Sequence, residues 1–299
     1  MRIERHASGR GARPRRGALA GAAAGASAAV LASALLLSGC ASGAAPETGG
    51  AAEPRAGIAL PPAGGPPDYQ LGGAYRPDPA VTIVARDRTA EPEPGVYSIC
   101  YVNGFQTQPG ELGRWPDETL LRDDAGALVH DPAWPDEVLL DTRTADRRDA
   151  IVRTVSPWIE GCAERGFAAV EFDNLDTYSR SAGALARADN VELARALVAV
   201  AHDAGLAAGQ KNAADDAELM RSHAGFDFAV TEECLVFGEC ERYTEQYGAH
   251  VIDIEYTDEL PRSFAEMCDD PGAPASLVLR DRGLAARGSA DYAFALCPH

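Results

Sequence analysis

The stretch Gly166-Phe167-Ala168-Ala169-Val170-Glu171-Phe172-Asp173-Asn174-Leu175-Asp176 decides the fold. It reads as a buried parallel strand, Phe167 to Val170, running straight into three acids and an amide. Side chains alternate along a strand, so Glu171 and Asp173 share one face while Phe172 points to the other. Neighbouring carboxylates repel each other and lose hydration, an arrangement kept mostly where the charge is used. A later run, Phe226-Asp227-Phe228-Ala229-Val230-Thr231, ends the same way in Glu232-Glu233-Cys234. Two carboxylates facing one cleft are the equipment for breaking a glycosidic bond.

The pattern recurs. Asp141 follows Val138-Leu139-Leu140, Glu255 follows Val251-Ile252-Asp253-Ile254, and Asp281 follows Leu277-Val278-Leu279-Arg280. Acids after strands also bind metal ions, cap helices or lie solvated, but a barrel gathers its strand ends at one mouth. The strand candidates are Tyr69–Gly72, Val81–Ala85, Tyr97–Val102, Val138–Leu140, Phe167–Glu171, Ala207–Gln210, Phe228–Glu232, Val251–Glu255 and Leu277–Arg280. Between them, Ala150–Arg165 carries Ile151, Val155, Trp158, Ile159 and Cys162 at helical spacing. Val191–Ala204 does so with Leu193, Leu197 and Val200, and Asn190 is the expected N-cap. Alternating strands and helices predict an α/β fold, a single (β/α)8 TIM barrel over residues 68–299, with one candidate strand too many. A doubly wound open sheet is the alternative, but no glycine-rich phosphate loop follows an early strand.

The N-terminus sets the compartment. Six arginines fall within Arg2–Arg16, then an apolar run extends from Ala18 to Leu37 and closes on Leu37-Ser38-Gly39-Cys40. This pattern predicts a lipoprotein signal peptide over residues 1–39, with Cys40 lipidated and the protein held outside the cytoplasm on the cell membrane. An uncleaved membrane anchor is the competing reading. Residues 40–67, rich in Gly, Ala and Pro, are expected to be a tether. Removal of residues 1–39 leaves 21 basic and 44 acidic residues, a net charge of −23. Such a surface repels nucleic acid and attracts cationic substrates.

Beyond Cys40 the chain has six cysteines, Cys100, Cys162, Cys234, Cys240, Cys268 and Cys297. An even number in an exported protein predicts disulfides. Six cysteines allow about 15 pairings, among which sequence alone does not choose; Cys234–Cys240 is the easiest closure, and Cys100–Cys162 with Cys268–Cys297 is the favoured pairing of the rest. No CxxC and no clustered histidines point to zinc, so neither metal nor cofactor is expected. Lys211 is the only lysine in the chain and stands at a strand end, where a compact ammonium differs from a wide guanidinium.

Glu171-Phe172-Asp173-Asn174-Leu175-Asp176, Lys211-Asn212, Thr231-Glu232-Glu233-Cys234 with Cys240, and Glu255-Tyr256 resemble motifs of glycoside hydrolase family 114, the endo-α-1,4-polygalactosaminidases. The usual forms there are close to EPDNxD, KN, NEQC and EY. The resemblance, from about Tyr69-Gln70-Leu71 through Cys100-Tyr101 to Asp281, implies a (β/α)8 fold and cleavage of α-1,4-linked galactosamine polymer. It puts the catalytic aspartate on Asp173 and the catalytic glutamate on Glu232; independently, neighbouring acids that push paired carboxyl pKa values apart make Asp173 the candidate nucleophile or base and Glu232 the candidate general acid. Substrate contacts are expected from Tyr101, Asp141, Glu171, Asn174, Asp176, Lys211, Asn212, Glu255, Tyr256 and Asp281, with Phe105, Trp115, Trp134 and Tyr178 as further aromatics that stack on sugars. The chain departs from the family at Thr231, at Glu233 and in Asn103-Gly104-Phe105-Gln106-Thr107-Gln108. The loop is expected to shape substrate subsites, the changes at Thr231 and Glu233 leave room for a non-catalytic, lipid-anchored glycan-binding barrel, and the acid cluster leaves room for a metal-dependent hydrolase. The expected partner is a cationic amino-sugar polysaccharide, bound by a monomer that meets the membrane only through its lipid.

Overall fold

The computed structural model describes residues 57–298; the expected signal peptide and the expected lipidation site Cys40 lie outside them. Eight parallel strands follow one another around a barrel: β1 (Pro67–Tyr69), β2 (Ile83–Asp87), β3 (Tyr97–Asn103), β4 (Ala169–Asp173), β5 (Ala207–Lys211), β6 (Phe228–Glu232), β7 (Val251–Tyr256) and β8 (Ser276–Arg280). A short β9 (Phe294–Leu296) adds antiparallel to β8. At the seam, the fully buried Arg280 of β8 donates to Asp68 Oδ1 at 3.0 Å and to the Tyr69 carbonyl, tying the last parallel strand to the first.

Strand alternation builds two cores. Inward residues Tyr69, Ile83, Ala85, Ile99, Ala169, Ala207, Phe228, Val230, Ile252, Ile254 and Val278 fill the barrel. Outward residues such as Val170, Phe172, Ala208 and Ala229 pack beneath the helices. Gly209 on β5 faces inward beside Phe228, where a Cβ would lie 2.5 Å from the ring. Phe228 fills the barrel because position 209 has no side chain.

The helices are α1 (Ala145–Arg165), α2 (Arg187–Asp203), α3 (Ala217–Leu219, continuing as a π-turn over Met220–Ala224), α4 (Cys234–Phe237), α5 (Cys240–Tyr247) and α6 (Phe264–Cys268). α1 starts at Thr144, whose side chain accepts from the Arg147 N–H, and stops at left-handed Gly166. Its apolar face, Ile151, Val155 and Ile159, is wholly buried. Among the described residues no helix is long and apolar enough to cross a membrane.

Three expectations are corrected. Val138–Leu140 is not a barrel strand: it forms isolated antiparallel bridges with Gln106, Leu120 and His130 in the long insertion between β3 and α1. A short buried apolar run looks the same in either setting, which explains the surplus strand. Asn190 does not cap α2, which begins after Ala186. It is buried in the first turn, donates to Leu175 O and Thr177 Oγ1, and accepts from Thr142 Oγ1. The chain is also packed earlier than a tether ending at 67 would allow. Ile58 and Leu60 pack against the barrel's inner core, and Ala59 O accepts from the Tyr97 hydroxyl at 2.7 Å.

The six cysteines form the three expected pairs. Cys100–Cys162 joins β3 to α1, Cys234–Cys240 joins α4 to α5, and Cys268–Cys297 pins α6 to the chain after β9.

Candidate active site

Above the apolar filling, the inward positions turn polar. Tyr69, Tyr101, Glu171, Asp173, Lys211, Glu232 and Tyr256 come from β1, β3, β4, β5, β6 and β7 and meet around one ammonium. Lys211 Nζ lies 3.3 Å from Glu232 Oε2, 3.8 Å from Asp173 Oδ2 and 4.0 Å from Glu171 Oε1, and donates to Tyr69 Oη at 3.0 Å. Asp173 Oδ2 and Glu232 Oε2 are therefore no more than about 7.1 Å apart, the sum of their distances to that nitrogen.

Burial divides the cluster. The Asp173 and Glu232 side chains keep 18% and 22% of their surface open, whereas Lys211 keeps 2% and Glu171 none. The first two line the cleft and the other two form its floor. Burial works against the Lys211 charge, but Asp173, Glu232 and Glu171 outweigh it and raise its pKa above the ordinary value. Burial lifts Glu171 to about 7, against the pull of Lys211 and the 2.5 Å hydrogen bond from Tyr69.

Each cleft carboxylate has its own tyrosine. Tyr101 donates to Asp173 Oδ2 at 2.8 Å, and Tyr256 donates to Glu232 Oε1. Burial, then the charges of Asp173 and Glu232 respectively, hold both phenols well above their usual pKa, so they remain donors. The Asn174 N–H reaches Asp173 Oδ1 at 2.8 Å. Asn212 grips Glu232 twice, donating to Oε2 at 2.9 Å and accepting from its backbone N–H at 2.8 Å. The residues just after Asp173, Lys211 and Glu232, namely Asn174, Asn212 and Glu233, are all left-handed, with φ of 65°, 49° and 61°. Side chains other than glycine adopt this backbone rarely, and it is concentrated at functional sites.

Several expected contacts do not join this cluster. Asp141 ends the insertion rather than a barrel strand and pairs with Arg143 and Arg147 at 2.5 and 2.7 Å. Glu255 points outward on β7, accepting from the Leu235 N–H. Asp281 binds the backbone of Ala285 and Ala293 and so shapes the C-terminal turn. Asp176 and Asn174 are held by Arg180. Glu171 is sealed beneath the pair, with none of its side-chain surface exposed. Among the aromatics, Phe105 and Trp115 are core, Tyr178 donates to Asp216, and Trp134 is 52% exposed. Cys234, Cys240 and Asp253 come close enough to suggest a metal site, but the two sulfurs are consumed by their disulfide.

Two site residues were missed. Tyr69 was legible as the inward residue of β1. Glu137 carried no sequence signal, being an acid on an irregular loop. Its Oε2 accepts from Gln106 and Asn103, and Asn103 pairs in register with Asp173.

The sequence profile of glycoside-hydrolase family GH114 matches residues 48–299. The chain belongs to that family. Two similar solved structures agree on the barrel. Ega3 of Aspergillus fumigatus, in complex with galactosamine, is 21% identical with a TM-score of 0.63, over 80% of this chain and 97% of that one. A variant of the glycoside hydrolase domain of PelA from Pseudomonas aeruginosa is 15% identical with a TM-score of 0.50, over 76% and 98%. No curated protein matches the sequence.

Set against the GH114 motifs, the two departures beside Glu232 are both engaged by protein partners. Thr231 Oγ1 donates to Asp253 Oδ1 at 2.7 Å on the outer face of β6. The Glu233 carboxylate takes both Arg282 nitrogens at 2.7 and 3.2 Å, and that guanidinium lies 4.6 Å from the Tyr256 ring centroid.

Proposed function

We propose that this glycoside hydrolase is endo-acting and cleaves α-1,4-linked, galactosamine-containing polysaccharide, with Asp173 and Glu232 as its catalytic pair. The observation that carries the reading is their convergence on Lys211, open to solvent while their supports are buried. In the retaining form of the reaction, Asp173 attacks the anomeric carbon as the glycosidic C–O bond breaks. Glu232 gives its proton to the departing oxygen, then takes one from the water that releases the glycosyl-enzyme. Both carboxylates face donors in the free enzyme. Substrate entry excludes water, makes two adjacent anions less favourable, and drives one proton onto the acid. Galactosamine in the complex of the similar fold and the acidic balance of this chain both support a cationic amino-sugar substrate. Release of oligosaccharides of several lengths from galactosamine polymer tests the reading; an inert polymer contradicts it.

The non-catalytic, glycan-binding alternative is not favoured, since the chain belongs to a family of glycoside hydrolases and keeps both cleft carboxylates together on Lys211. The same proposal has the enzyme exported and lipid-anchored at Cys40, a reading supported by the Leu37-Ser38-Gly39-Cys40 sequence and by three disulfides. Mass spectrometry of protein from its native host should find diacylglycerol on Cys40; an intact Met1 in the membrane fraction would contradict this.

A further inference from the structure

The acids around the cleft are nearly all matched with cations. Lys211 serves Glu171, Asp173 and Glu232; Arg180 serves Asp131 and Asp176; Arg282 serves Glu233. Glu137 differs. Among the described residues it has no arginine or lysine partner, and its Oε2 is held by two neutral amides, Gln106 Nε2 at 2.6 Å and Asn103 Nδ2 at 3.2 Å. Its Oε1 accepts no hydrogen bond from the described residues, yet it is not among the sealed polar atoms. The residue is only 9% exposed, so an oxygen that is not sealed belongs to an otherwise buried side chain. A carboxylate fixed through one oxygen and open at the other, with no compensating cation, is costly unless a ligand brings the charge.

Its position says where that ligand lies. Asn103 is the last residue of β3 and stands in register with Asp173 on β4, which places Glu137 on the Asp173 side of the cleft. Asp173 and Asp131 add negative charge next to it. Gln106 connects it to Arg180, whose guanidinium also takes the Gln106 Oε1 at 3.3 Å, so the amide that holds Glu137 is itself held. Trp134, whose carbonyl accepts from the Glu137 N–H at 2.9 Å, presents the most exposed large apolar side chain among the described residues. A fixed anion and an open indole on one turn suit a sugar that is cationic at one edge and apolar on one face.

We infer that Glu137 reads the free amine of an amino sugar bound beside Asp173, making it a specificity-determining residue for deacetylated over N-acetylated units. This rests on the proposed amino-sugar substrate. An ammonium in that place satisfies Oε1 and neutralises the carboxylate. An acetamide offers one neutral N–H, adds a bulky acyl group and leaves the charge uncompensated.

Binding is measured by calorimetry, independently of turnover, for galactosamine and N-acetylgalactosamine oligosaccharides on the wild-type protein, Glu137→Gln and Glu137→Asp. The wild type should prefer the amine. Glu137→Gln, which can keep the Asn103 and Gln106 hydrogen bonds, should weaken amine binding about 10- to 100-fold, the scale of one charge-assisted contact. The preference over the acetylated ligand should shrink by the same factor, and Glu137→Asp should preserve part of it. Equal weakening for both ligands, or an unchanged preference in Glu137→Gln, overturns the inference. Hydrolysis assayed in parallel keeps the two readings apart: amine preference without cleavage would defeat the glycosidase assignment and leave Glu137 standing. Cleavage with no dependence on Glu137 would do the reverse.

Discussion

Lys211 and Glu171 face each other at 4.0 Å in the floor of the barrel, with 2% and none of their side-chain surfaces exposed. One ammonium thus serves a sealed carboxylate below and two open carboxylates above. Burying an ion pair gains little by itself, but removing one partner leaves the other charge stranded.

Lys211→Met should therefore destabilise the protein by about 3–5 kcal/mol, read as a lower midpoint in urea, because several carboxylates lose their shared cation. Hydrolysis should fall with it, since Asp173 and Glu232 lose the group between them. Lys211→Arg should rescue little, as the buried pocket is filled by a compact ammonium. Wild-type stability in Lys211→Met would contradict this account of the floor.

Asp253 and Glu255 project from the same outward face of β7, and each has one buried oxygen without a partner, Oδ2 and Oε2. A proton on Glu255 satisfies both. Burial, followed by the Asp253 charge, raises Glu255 to about 9, and burial raises Asp253 to about 6. The folded state then holds a proton that the unfolded chain releases near pH 4.5, so this pair lowers stability as pH climbs from there through 9. Glu255→Gln mimics the protonated form. Its melting temperature should exceed that of the wild type at pH 8–9 and match it near pH 4; a gap of equal size at both would refute the shared proton.

Cys234–Cys240 closes a loop directly after Glu232 and Glu233. The Cys234→Ser/Cys240→Ser double variant should lose about 2–3 kcal/mol in denaturant titrations. Its kcat should drop more than its KM rises, because the segment that sets Glu232 is loosened. A variant with normal kcat would show that the barrel strand alone fixes that carboxylate.

Glu137 is raised to about 7, first by burial and then by Asp173 and Asp131, against the hydrogen bonds from Gln106 and Asn103. Below that pH it takes a proton and ceases to attract an ammonium. The sugar amine gains its own proton as pH falls through the same range, so galactosamine affinity should pass through a maximum in the wild type, and its acid-side fall should be lost in Glu137→Gln. Identical slopes in the two proteins would assign the titration elsewhere, to Glu171 for example.

The strand-end acids were legible because period-two alternation puts Glu171 and Asp173 on the inner face, and the same logic delivers Lys211, Glu232 and Tyr256. It misled where the strand was absent or the face reversed. Asp141 follows an apolar triplet that is not in the barrel, and Glu255 stands one position from the inward Tyr256. Glu171 was correctly oriented but lies one layer too deep, a distinction that register along the barrel axis makes and sequence does not. Glu137 depends on the path of an irregular insertion with no periodicity to read.

The most direct test of the central claim is the hydrolysis of galactosamine polymer by Asp173→Asn and by Glu232→Gln, each confirmed as folded by its melting temperature. Both changes keep size and hydrogen-bonding shape while removing the charge and the exchangeable proton. If these two residues are the catalytic pair, each variant should lose at least about a thousandfold in kcat/KM with its fold intact. A folded variant of either kind that keeps more than about a tenth of wild-type kcat/KM, above the range expected for loss of a catalytic acid or base, would contradict the assignment.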